Sequence, residues 1–299
     1  MSLIRPPRTA PTSRRALATG DSPSLPAAQS AAPLLKIGLI ADVHYADADT
    51  RGTRYYRESL GKMREAAETL NREKVDLAVE LGDLIDTPSP PDARAEAGFL
   101  GAIAAEFRKI GREQHYVLGN HCVSALTKEQ FLAACGQKKS YYSFDRNGIH
   151  LVILDACFRA DGTPYAAGNF KWTDSDIPRA ERDWLEADLK ATPHPTLVFV
   201  HQRLDLPPGH AYAVATAPAV RAVLEKSGKV LAVFQGHSHK NQYREINGIP
   251  YCVLAAMVEG GGRENSGYSS LSVFADGSLE LTGFRRHAGH PFLQRERSS

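Results

Sequence analysis

Five apolar runs in this 299-residue chain each end on side chains able to hold a metal ion or move a proton. They close on Asp42-Val43-His44, Gly82-Asp83, Gly119-Asn120-His121, His201 and Gly236-His237-Ser238-His239. Alternate residues of an extended segment point to one side, so Asp42 and His44 are expected to bring a carboxylate and an imidazole to one ion. Asn120 offers a neutral oxygen ligand, and His121 beside it a proton donor. Taken singly, each block has an ordinary explanation, since Asp caps turns and Gly-Asn is a common turn pair. Independent turns would not select Asp, His or Asn at every strand end, so the coincidence calls for one shared cause.

The elements that must carry these residues are legible from hydrophobic patterning. Lys36–Ala41 is an almost continuous apolar run suited to a strand buried on both faces. Val75–Leu81, Tyr116–Leu118, Thr196–Val200 and Val230–Gln235 read the same way, and all five blocks fall at strand carboxyl ends, where open α/β sheets bind ligands. Tyr56, Leu60, Met63, Ala67 and Leu70 mark one face of an amphipathic helix, and Phe99, Ile103 and Phe107 mark another that runs to about Arg112. Three β-α units result. Beyond a short helix near 128–134, Tyr141–Phe144 and His150–Leu154 form a hairpin around Asp145-Arg146-Asn147-Gly148, with His150 structural. Residues 158–178 are a Gly/Pro/aromatic loop of the length used for lids, which makes Phe170 and Trp172 candidate substrate contacts. A helix follows over Ala180–Ala191. Tyr251–Ala255, Ser269–Phe274 and Leu279–Thr282 suggest a mainly antiparallel second sheet, with Ile249–Leu254 and its Pro250 as an exposed edge able to pair with another chain.

Bulk composition is that of a soluble globular chain, with 42% hydrophobic and 23% charged residues. The net charge of +2 is uneven: Arg5, Arg8, Arg14 and Arg15 against Asp21 give residues 1–35 a charge of +3, leaving −1 for the rest. That body does not read as a nucleic-acid-binding surface, and Arg285, Arg286, Arg295 and Arg297 read as a solvated tail. Cys122, Cys135, Cys157 and Cys252 are widely spaced with no C-x-x-C, which suits a reducing compartment. No apolar run is long enough for a membrane span. Residues 1–34, rich in Pro, Ser and Ala, read as a disordered leader of a cytoplasmic protein; Ser13-Arg14-Arg15-Ala16-Leu17 leaves export through a degenerate twin-arginine signal as the alternative, although no apolar stretch follows it. The domain is placed at 35–286 and a tail at 287–299.

In their order along the chain, Asp42-x-His44, Gly82-Asp83, Gly119-Asn120-His121, His201 and Gly236-His237-Ser238-His239 resemble the five blocks of the calcineurin-like metallophosphoesterase superfamily. The resemblance covers roughly residues 36–285, and is strongest to the bacterial branch of cyclic nucleotide phosphodiesterases and manganese-dependent ADP-ribose/CDP-alcohol diphosphatases. It implies an α/β fold, a four-layer α/β/β/α sandwich of two mixed sheets flanked by helices. It also implies two metal ions, the first held by Asp42, His44 and His239, the second by Asn120, His201 and His237, with Asp83 bridging. Hard oxygens and imidazoles without a thiolate fit Mn, Fe, Zn, Co or Ni in divalent or trivalent form. Hydroxide held by the metals would attack phosphorus in line, and His121 would protonate the leaving oxygen. Tyr45 and Arg203, one and two residues from a ligand, and Cys122, beside His121, are further candidate substrate contacts.

Three departures qualify the resemblance. Cys122 stands where most of the superfamily has an Asp or Glu that orients the imidazole before it, so either Cys122 leaves His121 less tuned or Asp86 takes over. Asp86 replaces the Tyr of purple acid phosphatases, and His121 is not the Arg of the lipid A precursor hydrolases. The expected activity is a phosphodiesterase of modest selectivity on a small phosphoester. A phosphomonoesterase or a nucleotide diphosphatase on the same site is the alternative, and a non-catalytic scaffold or a nuclease a weaker one.

Overall fold

A computed structural model describes residues 32–87 and 89–292, the side chains of 291 and 292 excepted; the expected leader lies outside them except for residues 32–34, as do residues 293–299 of the expected tail. Strand patterning decides the layers. In β1 (Leu35–Ile40), Ile37 and Leu39 face one way and Ile40 the other, and in β2 (Leu77–Glu80) Leu77 and Val79 oppose Ala78. The first set meets Ile149, Leu151 and Ile153 of β5 (Ile149–Ile153), Leu197 and Phe199 of β6 (Thr196–Phe199), and Ala232 and Phe234 of β7 (Val230–Gln235), in a core between two sheets. The second set packs under α1 (Ser59–Arg72), α2 (Ala93–Phe107) and α3 (Lys128–Cys135). The outer residues of β5–β7 (Val152, Val198, Val233) pack under α4 (Arg179–Ala191) and α5 (Ala217–Ser227). Each fully buried aliphatic side chain contributes roughly 1.5–3 kcal/mol, and strands apolar on both faces can be buried only as the middle layers of such a stack.

Each sheet has six strands. The first runs β12-β11-β10-β1-β2-β3, where β3 is Glu113–Tyr116, β10 Gly267–Val273, β11 Leu279–Arg285 and β12 His290–Phe292. The second runs β4-β5-β6-β7-β9-β8, with β4 Tyr142–Arg146, β8 Gln242–Ile246 and β9 Ile249–Val253. β1, β2 and β3 are mutually parallel, as are β5, β6, β7 and β9; the outer strands are antiparallel, so both sheets are mixed.

Three expectations need correction. The late strands do not make a second sheet: β10 and β11 extend the first sheet beside β1, while β9 joins the second beside β7. Ile249–Leu254 is no edge, because β8, assigned no element from sequence, covers it with Pro250 opposite Glu245. The tail begins later than residue 287: His287 is buried, bonded to Ser269 Oγ and the Ala255 carbonyl, and β12 pairs with β11. Residues 217–227, which the patterning does not mark, form α5, with a proline in its first turn. Among the described residues no helix is long and apolar enough to cross a membrane.

Candidate metal centre and active site

The carboxyl ends of β1, β2, β3, β6 and β7 meet at one rim of the sandwich, and all five blocks lie there. Asp42 and His44 converge for a reason other than strand alternation. Both adopt left-handed backbone, at φ +52° and +46°, as do Asp83 (+59°), His237 (+70°) and His239 (+60°). Five of the ten non-glycine residues with positive φ in the described chain are thus candidate ligands. Such conformations cost about 1–3 kcal/mol each and persist where the surroundings enforce them. Here backbone bonds from Asp42 N to the Gly82 carbonyl and from His44 N to the Asp83 carbonyl tie the two strand ends together. Two glycines permit the closest approaches: a Cβ at Gly119 would overlap Asp83, and one at Gly82 would overlap His201.

Three groups of donor atoms result, each within 4.8 Å of one another: Asp42, His44 and His239; Asp83, His201 and His237; and His44, Asp83 and His121. Asp83 sits between the first two, its Oδ2 3.6 Å from His44 Nε2 and 3.1 Å from His201 Nε2. His44 Nε2 and His239 Nε2 face each other at 3.1 Å. The outward nitrogens are anchored: His44 Nδ1 to Asp86 at 3.0 Å, His239 Nδ1 to Glu259 at 2.7 Å and His201 Nδ1 to the Leu81 carbonyl at 2.8 Å. Such bonds fix the tautomer and aim Nε2 inward.

The electrostatics ask for cations. Burial pushes the His44 imidazole down, but bonds to Asp42 and Asp86 and the charge of Asp83 lift its pKa to about 10. Burial and the neighbouring His201 push His237 down to about 3, so its lone pair is kept. His237 Nε2 and Asn120 Oδ1 are buried without a hydrogen-bond partner. An unpaired buried polar atom costs about 1–3 kcal/mol; a metal ion would remove that cost at Asn120 Oδ1, whereas His237 turns Nδ1 rather than Nε2 towards the cluster, 3.2 Å from His201 Nε2. The residues fit such a centre. Asn120 lies between Gly119, packed on Asp83, and His121, whose backbone N–H donates to Asp83 Oδ1 at 2.7 Å.

His121 stands beside this set with its side chain 26% exposed. Its Nδ1 lies 2.9 Å from Asp86 Oδ1, and its ring meets His44 edge-on at 4.6 Å. Asp86 thus joins a candidate ligand to the candidate acid through its two oxygens. Burial raises that carboxyl, yet the bonds from His121 and His44 outweigh it and hold the group well below the ordinary carboxylate range. Of the two outcomes open in the sequence, a less tuned His121 or one supported by Asp86, the geometry matches the second. Cys122 turns away into the helix-side core, fully buried, with a thiol pushed well above its usual pKa by burial.

The other expected contacts divide. Trp172 stands at the rim, 42% exposed, with its ring 5.7 Å from His237 and 5.4 Å from Tyr212. Phe170 instead stacks on buried Tyr165 at 3.9 Å and packs against the helix-side core, so the loop uses it to hold its own shape. Arg203 is spent within the fold, bidentate to Asp205 at 2.7 and 2.6 Å and bonded to Ser238 between two candidate ligands. Tyr45 is half-buried, edge-on to Phe99 at 6.0 Å. Sequence reasoning missed Tyr212, Glu259 and Arg54, whose Nη1 lies 3.4 Å from Asp86 Oδ2. They follow no strand-end pattern, so no local signal marks them.

Residues 35–241 match the calcineurin-like phosphoesterase family. Curated relatives include manganese-dependent ADP-ribose/CDP-alcohol diphosphatases from Oryza sativa subsp. japonica, 27% identical over 278 residues (78% of this chain, 86% of the relative), and from Arabidopsis thaliana, 27% identical over 301 residues (85% and 95%). Among solved structures, a dimetal phosphatase from Danio rerio superposes with a TM-score of 0.77 at 21% identity, covering 88% of this chain and all of that one, and a yellow lupin purple acid phosphatase with 0.56 at 15% identity, covering 86% and 52%. These structural likenesses establish the α/β fold of two mixed sheets flanked by helices. By the match over more than two thirds of its length, the chain belongs to the calcineurin-like phosphoesterase family, and it is a metal-dependent phosphoester hydrolase with a two-metal centre.

Proposed function

We propose that the protein is a diphosphatase acting on small nucleotide-type substrates, splitting the diphosphate link between a nucleoside and a second group. The observation that carries this reading is the pair of exposed rings, Trp172 and Tyr212 (42% and 37% exposed), packed against His237 at 5.7 and 5.4 Å. Exposed aromatics beside a charged centre form a platform for a flat, hydrophobic group such as a nucleobase, and stacking adds about 0.5–1.5 kcal/mol beyond area burial. The names of the two plant relatives support the same class.

In this reading Asp42, His44 and His239 would hold one metal ion, Asn120, His201 and His237 the other, and Asp83 would serve both. When bound, the ions lower the pKa of water from about 15.7 towards about 7 and offset charge on phosphoryl oxygens. The chain's own residues do the rest. Trp172 and Tyr212 seat the base, and Asp86 holds His121 with Nδ1 outward-bonded so that Nε2 faces the leaving oxygen. Water adds to the attacked phosphorus and loses a proton to solvent, the bond to the bridging oxygen breaks, and His121 supplies that oxygen's proton and regains one from solvent.

The test is turnover of ADP-ribose, bis-p-nitrophenyl phosphate and p-nitrophenyl phosphate by metal-stripped protein reloaded with Mn²⁺, with Asp83→Ala as control. Metal-dependent hydrolysis of ADP-ribose, lost in the control, with KM raised about 3- to 12-fold in Trp172→Ala, supports the reading. Cleavage of the nitrophenyl diester with ADP-ribose untouched returns the protein to a general phosphodiesterase, and preference for the monoester to a phosphatase.

A further inference from the structure

Resting on the diphosphatase reading, we infer that Arg54 is a specificity-determining residue that binds the phosphate leaving with the second half of the substrate. Diphosphate cleavage differs from simple diester cleavage in its leaving group. When the bond from the attacked phosphorus to the bridging oxygen breaks, that oxygen departs as part of a phosphomonoester carrying negative charge, with its proton supplied by His121. A cation is needed immediately beyond His121, away from the attacked phosphorus. Asp86 and Glu259 put negative charge on that side of the site, so without a cation an anionic leaving group meets repulsion.

Arg54 stands there. Asp86 Oδ1 is 2.9 Å from His121 Nδ1, and its other oxygen is 3.4 Å from Arg54 Nη1, so one carboxylate separates the guanidinium from the acid. The backbone beneath it is fixed from two sides. Arg51 and Arg54 exchange backbone bonds of 3.2 and 3.1 Å, and Tyr55 N and the Thr53 carbonyl bond to Val258 and Gly260, at 3.0 and 2.8 Å, on the segment that carries Glu259. The head group is not locked in return. Its contact with Asp86 is long, and the side chain is 32% exposed, whereas Arg203 is closed on Asp205 by two short bonds and is buried. The guanidinium also meets the Tyr56 hydroxyl and the charge of Glu259, and part-exposed contacts of this kind contribute little to stability. A planar fork with several donors on a fixed backbone, next to the proton donor, matches the bidentate recognition of phosphate.

The experiment compares wild type, Arg54→Ala and Arg54→Lys, loaded with Mn²⁺, on ADP-ribose and on bis-p-nitrophenyl phosphate, whose leaving phenolate has no phosphate. Loss of a charge-assisted hydrogen bond predicts that Arg54→Ala lowers the ratio of kcat/KM on ADP-ribose to that on the diester by about 10- to 150-fold, with Arg54→Lys in between. Inhibition by inorganic phosphate should weaken in the same order. Inhibition by inorganic phosphate that is unchanged in Arg54→Ala, whatever the rates on the two substrates, would make Arg54 only a tether for Asp86 and overturn the inference, while the diphosphatase reading stands. Wild-type protein that cleaves the diester and ignores ADP-ribose would overturn both.

Discussion

Replacing Asp86 by Asn keeps the shape of the side chain and removes the charge that joins His121 to His44. The carboxylate accepts from His121 Nδ1 at 2.9 Å and from His44 Nδ1 at 3.0 Å, and those bonds hold its pKa far down against the opposing effect of burial. A hydrogen bond to a charged group is worth about 1.5–3 kcal/mol, and the link to His121 matters in proportion to the proton transferred in the transition state. For a leaving group that must be protonated, Asp86→Asn should cost about 10- to 150-fold in kcat/KM, at about 1.4 kcal/mol per tenfold. For p-nitrophenolate, which departs unprotonated, the cost should be small. The bond to His44 adds a second effect, about 10- to 100-fold in metal affinity, removed by working at saturating Mn²⁺ after titrating the metal. The assay is the slope of log kcat/KM against leaving-group pKa over a series of aryl phosphodiesters, and the slope should steepen in the variant. A uniform loss across the series at saturating metal would show that Asp86 serves the metal centre alone, and no loss at all would remove it from the mechanism.

Two further outcomes concern stability. Cys122→Ala should leave the leaving-group slope unchanged, whereas Cys122→Asp puts a carboxyl into the helix-side core at a cost of several kcal/mol and should lower the melting temperature in calorimetry; a stable, more active Cys122→Asp would contradict the geometry. His150 lies between Asp145 and Asp188 at 2.6 and 2.8 Å, and although burial pushes its pKa down, these carboxylates raise it above the usual value. Its contribution to stability is therefore full below the unfolded pKa of about 6.5 and is lost as pH rises through the raised folded value. Urea midpoints should fall between pH 6 and pH 9 by more in wild type than in His150→Gln, and parallel profiles would refute the pairing.

Much of this protein is written locally. The apolar runs fix where the central strands lie, because a segment apolar on both faces has only the interior of a layered α/β stack to occupy. The strand-end residues Asp42, His44, Asp83, Asn120, His201, His237 and His239 name a donor set before any contact is known, since donor chemistry belongs to the side chain itself. Other features depend on partners distant in sequence. Whether a late strand joins one sheet or the other is set by which neighbour buries its face, so β9 and β10 part company although both read as simple strands. Asp42 and His44 converge through left-handed backbone that only the surrounding strand ends can impose. Asp86, rather than the adjacent Cys122, supports His121, because the short turn that places the imidazole at the rim carries the next side chain into the core. Glu259 reaches His239 from 20 residues away and Arg54 reaches Asp86 from 32. The sequence determined the central strands, the candidate donor set and the chemistry those donors share. Tertiary structure alone chose what orients those donors, because hydrogen-bond partners are selected by distance in space, on which spacing along the chain places almost no constraint.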